Sequence, residues 1–433
     1  MLVLGIIAEY NPFHNGHLYH LQKSKELTGA EFSIAVMGGN FLQRGEPALW
    51  NKWIRTKMAL FAGIDLVIEL PFVFASQDAH GFAQAGVKIL DSLGVVDYIT
   101  FGCENEKVEI FSKLARLIIK DPPFFKKIIS EELKKGNSFP HIREKAIISF
   151  YQKYDQESMG IPLNEISTIL RQSNNILALE YMISLQLLKS TIKALPIKRI
   201  GSNFSQDKFE GEYSSATAIR KIINQYYYNS NDKQLLENLK ATMPITSYQT
   251  ILNELKEDIN PILLSNFEQA IFSKLRSAPA DDLKRINGVQ EGLENKIKKA
   301  AISTKSIEEL IQTVKSKRYT RTRIQRIVIH SLFNLTKKET QNFNKNGPLY
   351  CRILGMTDKG REILKKAKLK SKLPLIMKLK NFYLHNKRLG KKDILNMLNY
   401  DILSTDLYVL AYKSKKLKIG SQDFTKNIDL LNV

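Results

Sequence analysis

An apolar run, Leu2-Val3-Leu4-Gly5-Ile6-Ile7-Ala8, leads directly into Glu9-Tyr10-Asn11-Pro12-Phe13-His14-Asn15-Gly16-His17. No other stretch restricts the fold as much. A continuous apolar run bounded by turn-formers reads as a strand buried on both faces, the pattern of a parallel sheet. Asn11-Pro12 ends the strand, and Gly16 permits a tight turn into a helix starting near His17. A strand feeding a helix N-terminus makes a phosphate pocket, because free N–H groups and the positive end of the helix dipole face the same anion.

His14 and His17 lie three apart across that helix start, so both can face a phosphate and donate hydrogen bonds as its charge rises in a transition state. As an isolated spacing they would be one cap and one surface histidine. The preceding strand, the Asn-Pro-Phe and the glycine favour the phosphate reading.

At 433 residues the chain exceeds what one core usually supports, so two domains are expected. Hydrophobic content of 43% and charged content of 25% are those of a soluble globular protein. No apolar run approaches the roughly 20 residues of a membrane span. The first run lacks a basic region before it and reads as strand, not signal peptide. Cys103 and Cys351 have no ligand-like spacing, which fits a reducing cytoplasm and argues against a disulfide framework or zinc site. The net charge of +22 is uneven: residues 1–100 hold 7 Lys and Arg against 9 Asp and Glu, whereas 301–433 hold 29 against 10. A near-neutral half joined to a strongly basic one points to a polyanionic partner, with nucleic acid the first candidate.

Further strands are expected at Phe32–Met37, Asp65–Pro71 and Val95–Phe101. The Gly38–Pro47 loop follows the second strand, and its Arg44 offers a planar cation to a phosphate or carboxylate, or is simply solvated. Trp50–Ala62 reads as an amphipathic helix carrying Lys52, Arg55 and Lys57, with most of these charges facing water. The acids of Asp65–Pro71 could hold magnesium, although strand-end acids are more often edge or capping groups. Gln77–Leu93 suits a helix packed tightly on the sheet. Gly102 falls at the carboxyl end of the fourth strand, where an adenosine could rest on bare backbone. Residues 105–167 form a charge-rich helical insertion. Asn174 and Asn175 sit at a helix start as caps. In Gly211–Arg220, hydroxyls cluster at a helix N-terminus with Arg220 a turn inside. This is either a capping box or a second anion-binding end. From about Asn224 long Leu/Ile/Lys helical patterns take over, and Lys315–Arg326 packs six cations around Tyr319, which suits an RNA backbone or a solvated helix face.

The first phrase resembles the H-x-G-H nucleotidyltransferase superfamily, and Glu9–His17 as a whole resembles the tRNA(Met) cytidine acetate ligase family. Similar family patterns recur at Gly39–Gly45, Gly102–Glu104 (with Cys103 where serine is usual), Ser214–Arg220, Tyr319–Arg326 and Arg352–Gly355. The last of these is expected to be a turn presenting backbone to substrate.

The resemblance implies an α/β fold: a Rossmann-like, HUP-type nucleotidyltransferase parallel sheet over 1–223, with the insertion at about 105–167, then a basic, mainly α-helical tRNA-binding domain over 224–433. It implies ATP as co-substrate, Mg2+ carried by the nucleotide and no protein-held metal. Acetate would become acetyl-adenylate with loss of pyrophosphate, and the acetyl group would pass to N4 of the wobble cytidine of elongator tRNA(Met), giving N4-acetylcytidine. Carried onto this sequence, the catalytic residues are His14, His17, Arg44, Ser215 and Arg220. The nucleotide residues are Ile7, Ala8, Glu9, Tyr10, Asn11, Pro12, Phe13, His14, Asn15, Gly16, His17, Leu18, Tyr19 and His20, with Gly102, Asn174 or alternatively Asn175, Arg199 and Ile200. The tRNA residues are Lys317, Arg318, Tyr319, Arg321, Arg323, Arg326 and Arg352. No membrane partner is expected, and oligomeric state is left open. An adenylyltransferase acting on a small coenzyme precursor is the alternative, but it gives the basic half no purpose.

Overall fold

A single mixed sheet runs through both halves of the chain in the computed structural model, which describes residues 1–431 except 136, 138, 155–161, 201–208, 230, 231 and 291. Some of the expected 105–167 insertion therefore lies outside the described residues. The strands are β1 (Val3–Ala8), β2 (Phe32–Gly38), β3 (Leu66–Leu70), β4 (Tyr98–Cys103), β5 (Lys193–Lys198), β6 (Cys351–Thr357), β7 (Leu375–Ile376) and β8 (Asp429–Leu431). Their order is β5-β4-β1-β2-β3-β6-β7, with β8 also on β6. The first five are mutually parallel where they pair, and β6 joins β3 antiparallel. β2 and β3 are buried at every position, as central strands of a parallel sheet covered on both faces.

The chain leaves β1 for β2 on one side and later returns to β4 on the other. This reversal opens a crevice beyond the carboxyl end of β1. Helix α1 (Asn15–Thr28) starts there, and helix α2 (Lys52–Phe61) precedes β3. Helix α3 (Ala79–Ser92) lies on β1 with little space between them: a Cβ on Gly86 would stand 2.7 Å from Ile7 Cδ1, and one on Gly5 would stand 2.8 Å from Leu90 Cδ1. Helices α4 (Ser173–Leu187) and α5 (Ala216–Tyr228) complete the crevice wall. Helix α6 (Arg321–Phe333) carries some of the basic stretch.

Three expectations are corrected. The boundary after residue 223 does not separate one core from another, because β6, β7 and β8 extend the sheet and Phe41 packs on Phe333 and Tyr408 at 5.0 and 6.2 Å between centroids. Arg352–Gly355 is strand, not turn. Gly355 is small there because a Cβ would come within 2.6 Å of Thr56 Cγ2. Arg352 is therefore buried, with Nη1 3.0 Å from Glu69 and Nη2 2.5 Å from Asp423, and a side chain so enclosed cannot reach RNA. Lys52 and Arg55 do not face water either. Lys52 Nζ joins the same cluster, 2.8 Å from Glu69 and 2.7 Å from Asp423. Arg55 donates to the carbonyls of Trp50, Glu9, Gly38 and Gly39, pinning the ends of β1 and β2 beside the crevice. Glu69 is thus consumed by cations.

Candidate active site

The crevice holds a cavity of about 220 Å³ lined from both ends of the chain's first half. From the opening phrase, Ile7, Ala8, Glu9, Tyr10, Asn11, His14, Gly16, His17, Tyr19 and His20 line it. Pro12 and Phe13 are buried beneath, and Leu18 packs at the margin of the core on that side. Asn15 ties the turn to the neighbouring helices by donating to the carbonyls of Glu212 and Ala241. Arg44, Gly102, Asn174, Arg199, Ile200 and Arg220 reach the cavity from their separate elements.

The two histidines are fixed by their own turn. His14 caps α1 by accepting the Gly16 amide on Nδ1 at 3.0 Å, and His17 Nδ1 accepts the His14 amide at 3.2 Å. With Nδ1 used as acceptor in both rings, the neutral proton resides on Nε2, so each ring presents an N–H donor. Burial, then the cations Arg199 and Arg220, lowers His14 to about 3; burial and the neighbouring His14 take His17 well below its ordinary value. The pair thus enters as neutral donors, and an arriving polyanion would favour the charged form.

A second helix start faces the same space. Ser215 Oγ accepts the Ala218 amide at 3.1 Å, capping α5, while Ala216 and Thr217 line the cavity. Ser215, expected on the phosphates, is not among the lining residues. Its capping bond sets the direction of the helix end that is. Arg220 donates to the Asn11 carbonyl at 3.1 Å and lies 3.4 Å from Glu46. Two helix N-termini with Arg44, Arg199 and Arg220 gather positive potential around one cavity.

The two asparagines face different sides. Asn175 is wholly buried and its Oδ1 accepts the amides of Glu104 and Asn105, whereas Asn174 lines the cavity and donates to Glu104 Oε1 at 2.7 Å. Cys103 is buried and its thiol is pushed up to about 12, which suits packing and not nucleophilic attack. Sequence reasoning missed Gln43, Glu46, Phe101, Thr217 and Tyr181 on the cavity wall. Tyr181 was within reach: it follows Asn174 by seven positions, two turns along one helix face. Among the described residues no group of three or more His, Cys, Asp or Glu could hold a metal, and no helix is long and apolar enough to cross a membrane.

The basic stretch divides. Lys317 is exposed, and the guanidinium groups of Arg318 and Arg323 lie 5.9 and 4.8 Å from the centre of the Tyr319 ring. Arg321 forms a two-point pair with Glu308 at 2.5 and 2.6 Å. Arg326 donates to the Gln43 carbonyl at 3.2 Å, docking α6 on the active-site loop.

Fold and cavity together define a nucleotide-binding protein of the nucleotidyltransferase class, and the HIGH Nucleotidyl Transferase family matches residues 1–423. Within that class the chain belongs to the tRNA(Met) cytidine acetate ligase family. It is 42% identical to the tRNA(Met) cytidine acetate ligase of Acetivibrio thermocellus over the whole of both chains, and 44% identical to that of Thermoanaerobacter sp. over 96% of this chain and 97% of the relative. The crystal structure of Thermotoga maritima TmcAL without nucleotide (apo, form I) superposes with a TM-score of 0.93 at 37% identity, covering both chains fully. The same protein bound with alpha-thio ATP gives 0.91.

Proposed function

We propose that the chain is an ATP-dependent tRNA(Met) cytidine acetate ligase. It joins acetate to AMP with release of pyrophosphate, then transfers the acetyl group to N4 of the wobble cytidine of elongator tRNA(Met). The observation that carries this reading is the pair of helix N-termini around one cavity, with His14 and His17 donating from one and Ala216, Thr217 and Arg220 facing it from the other.

In the first step an acetate oxygen attacks the α-phosphorus and the bond to pyrophosphate breaks. Charge grows on the α-phosphoryl oxygens, where the Nε2–H groups of His14 and His17 strengthen their hydrogen bonds. The α5 N-terminus and Arg220 take the pyrophosphate. Magnesium travels on the phosphates, and the enzyme works in the cytoplasm. In the second step the exocyclic amine of cytidine displaces AMP from the activated acyl group. An anticodon base must be splayed from its loop to enter the cavity, and the surface at Lys317, Arg318, Tyr319 and Arg323 grips the RNA backbone meanwhile.

The test is a single-turnover reaction with ATP, magnesium, radiolabelled acetate and total tRNA. Label in one tRNA species, as acid-stable N4-acetylcytidine, is the expected result. Acetyl-adenylate without labelled RNA would remove the tRNA acceptor from the reading.

A further inference from the structure

We propose that Glu9 is the base of the acyl-transfer step: its carboxylate accepts an N4 hydrogen of the target cytosine and takes that proton as the amine attacks. The inference rests on the ligase reading above and goes beyond it by assigning the proton.

Acyl transfer to an amine releases one proton, and the residues around the cavity leave few places for it. His14 and His17 both present Nε2–H, since Nδ1 of each is occupied by a backbone amide. They are donors, not acceptors. Glu46 lines the cavity but is paired with Arg220 at 3.4 Å. His20 lines it too, and among the described residues its Nε2 has no partner, but the charge that acts on it is Arg199, on the side of Gly102. Glu9 remains. It stands at the end of β1, with Oε1 held by the Gln43 amide at 2.7 Å, and among the described residues no hydrogen bond or ion pair reaches Oε2. One oxygen is anchored, and the side chain lines the cavity.

The surroundings suit an acid that must cycle. Burial raises the Glu9 carboxyl above its ordinary value and Glu46 adds to the rise, while the Gln43 amide, Arg44 and Arg220 work against it. Tyr181 from α4 and Arg55 from α2 also sense its charge. A carboxylate is also the side chain that reads cytosine, by accepting from the N4 amino group. The amine's lone pair is delocalised into the ring, so removing a proton as the bond forms gives most help where the nucleophile is weakest. The N4–C bond forms as the N4–H bond breaks toward Glu9, the acyl C–O bond to the phosphate then breaks, and AMP leaves. Protonated Glu9 returns its proton to solvent.

The experiment follows both half-reactions in one single-turnover mixture of ATP, labelled acetate and tRNA, for the intact protein and for Glu9→Gln and Glu9→Asp. In Glu9→Gln the rate of transfer is expected to fall about 10²-fold or more relative to acetyl-adenylate formation, a usual size for a lost general base. The acid limb of the pH profile of transfer should vanish with it. Glu9→Asp should keep a measurable acid limb and some of the rate, which also covers the case in which Glu9→Gln fails to fold. Equal loss in both half-reactions would overturn the inference and make Glu9 a nucleotide-positioning residue; unchanged transfer would overturn it outright. Acetyl-adenylate with no labelled tRNA in the unmutated protein would sink the ligase reading and this inference together.

Discussion

His14 and His17 stack with ring centroids 3.8 Å apart and planes 33° apart, each tethered through Nδ1 to an amide of the turn they share. Two imidazolium rings at that distance would repel, so the pair works as two neutral donors. Either substitution to alanine should slow acetate-dependent ATP–pyrophosphate exchange by about 10²–10³-fold, the usual effect of losing one donor to a developing charge. If the rings act as a unit, the double variant will be no worse than the poorer single one. Binding of tRNA, measured by filter retention, should be unaffected. Loss of RNA binding in step with exchange would mean that the turn itself had collapsed.

The same burial sets a pH dependence. His14 is lowered to about 3 and His20 to about 4, with burial the largest cause in each. The unfolded chain takes up these protons near pH ~6.5, whereas the native state refuses them until the pH is much lower. Stability is therefore intact at neutral pH and declines as pH falls below about 6.5, down to the native values. Thermal melting between those limits should be less steep with pH in His20→Asn. A non-hydrolysable ATP analogue should flatten the curve, because the polyanion favours the charged rings.

Gly45 has φ +73, and a Cβ there would lie 2.2 Å from the Arg326 amide nitrogen. The loop that carries Gln43 and Arg44 thus meets α6 backbone to backbone, a contact open only to glycine. Gly45→Ala adds left-handed strain of about 1–2 kcal/mol to a clash that no flexible side chain can absorb. We expect a lower melting temperature and a transfer rate reduced more than adenylate formation, since the loop joins the basic helix to the cavity. Unchanged melting would show that the loop can move aside at no cost.

The first four strands, the helix at Asn15 and the second helix start at Ala216 were legible because period, glycine and turn chemistry agree there with the tertiary fold. The cavity's first wall followed from the same phrase. What stayed hidden are the elements whose polarity points the wrong way. Lys52 and Arg55 look like the wet face of an amphipathic helix. For Lys52 only its partners, Glu69 and Asp423, 17 and 371 positions away, reveal that it is inside. β6 carries an arginine and ends near a glycine, so its pattern reads as turn until β3 is seen pairing with it. Glu9 was legible as a nucleotide-loop residue, but its anchor, the Gln43 amide, is a contact across 34 positions.

The buried cluster of Lys52, Glu69, Arg352 and Asp423 yields a prediction that separates fold from RNA binding. Replacing one cation of a buried network leaves its acids uncompensated and costs about 3–5 kcal/mol. Lys52→Met and Arg352→Met should each lower stability by that order in urea unfolding. Neither should change the salt dependence of tRNA binding under conditions where the protein remains folded. A weaker salt dependence in Arg352→Met would return that residue to the RNA surface.

The surface at Tyr319 should behave in the opposite way. Each phosphate contact releases counterions, so losing one weakens binding across all sequences and lowers the slope of log affinity against log salt by about 0.7–0.9. Lys317→Ala should do this with melting unchanged, because its side chain is exposed, and Arg318→Ala, at a half-buried side chain beside Tyr319, should do it with at most a small loss of stability. Arg321 is held by Glu308 through two bonds, and Glu308 is lowered to about 2 chiefly by that arginine. Arg321→Ala should therefore cost less RNA affinity than Lys317→Ala, and Glu308→Gln should strengthen binding by freeing the guanidinium for phosphate. Titrations of tRNA over a range of salt decide it: a Glu308→Gln protein that binds no more tightly would show that Arg321 lies outside the RNA footprint.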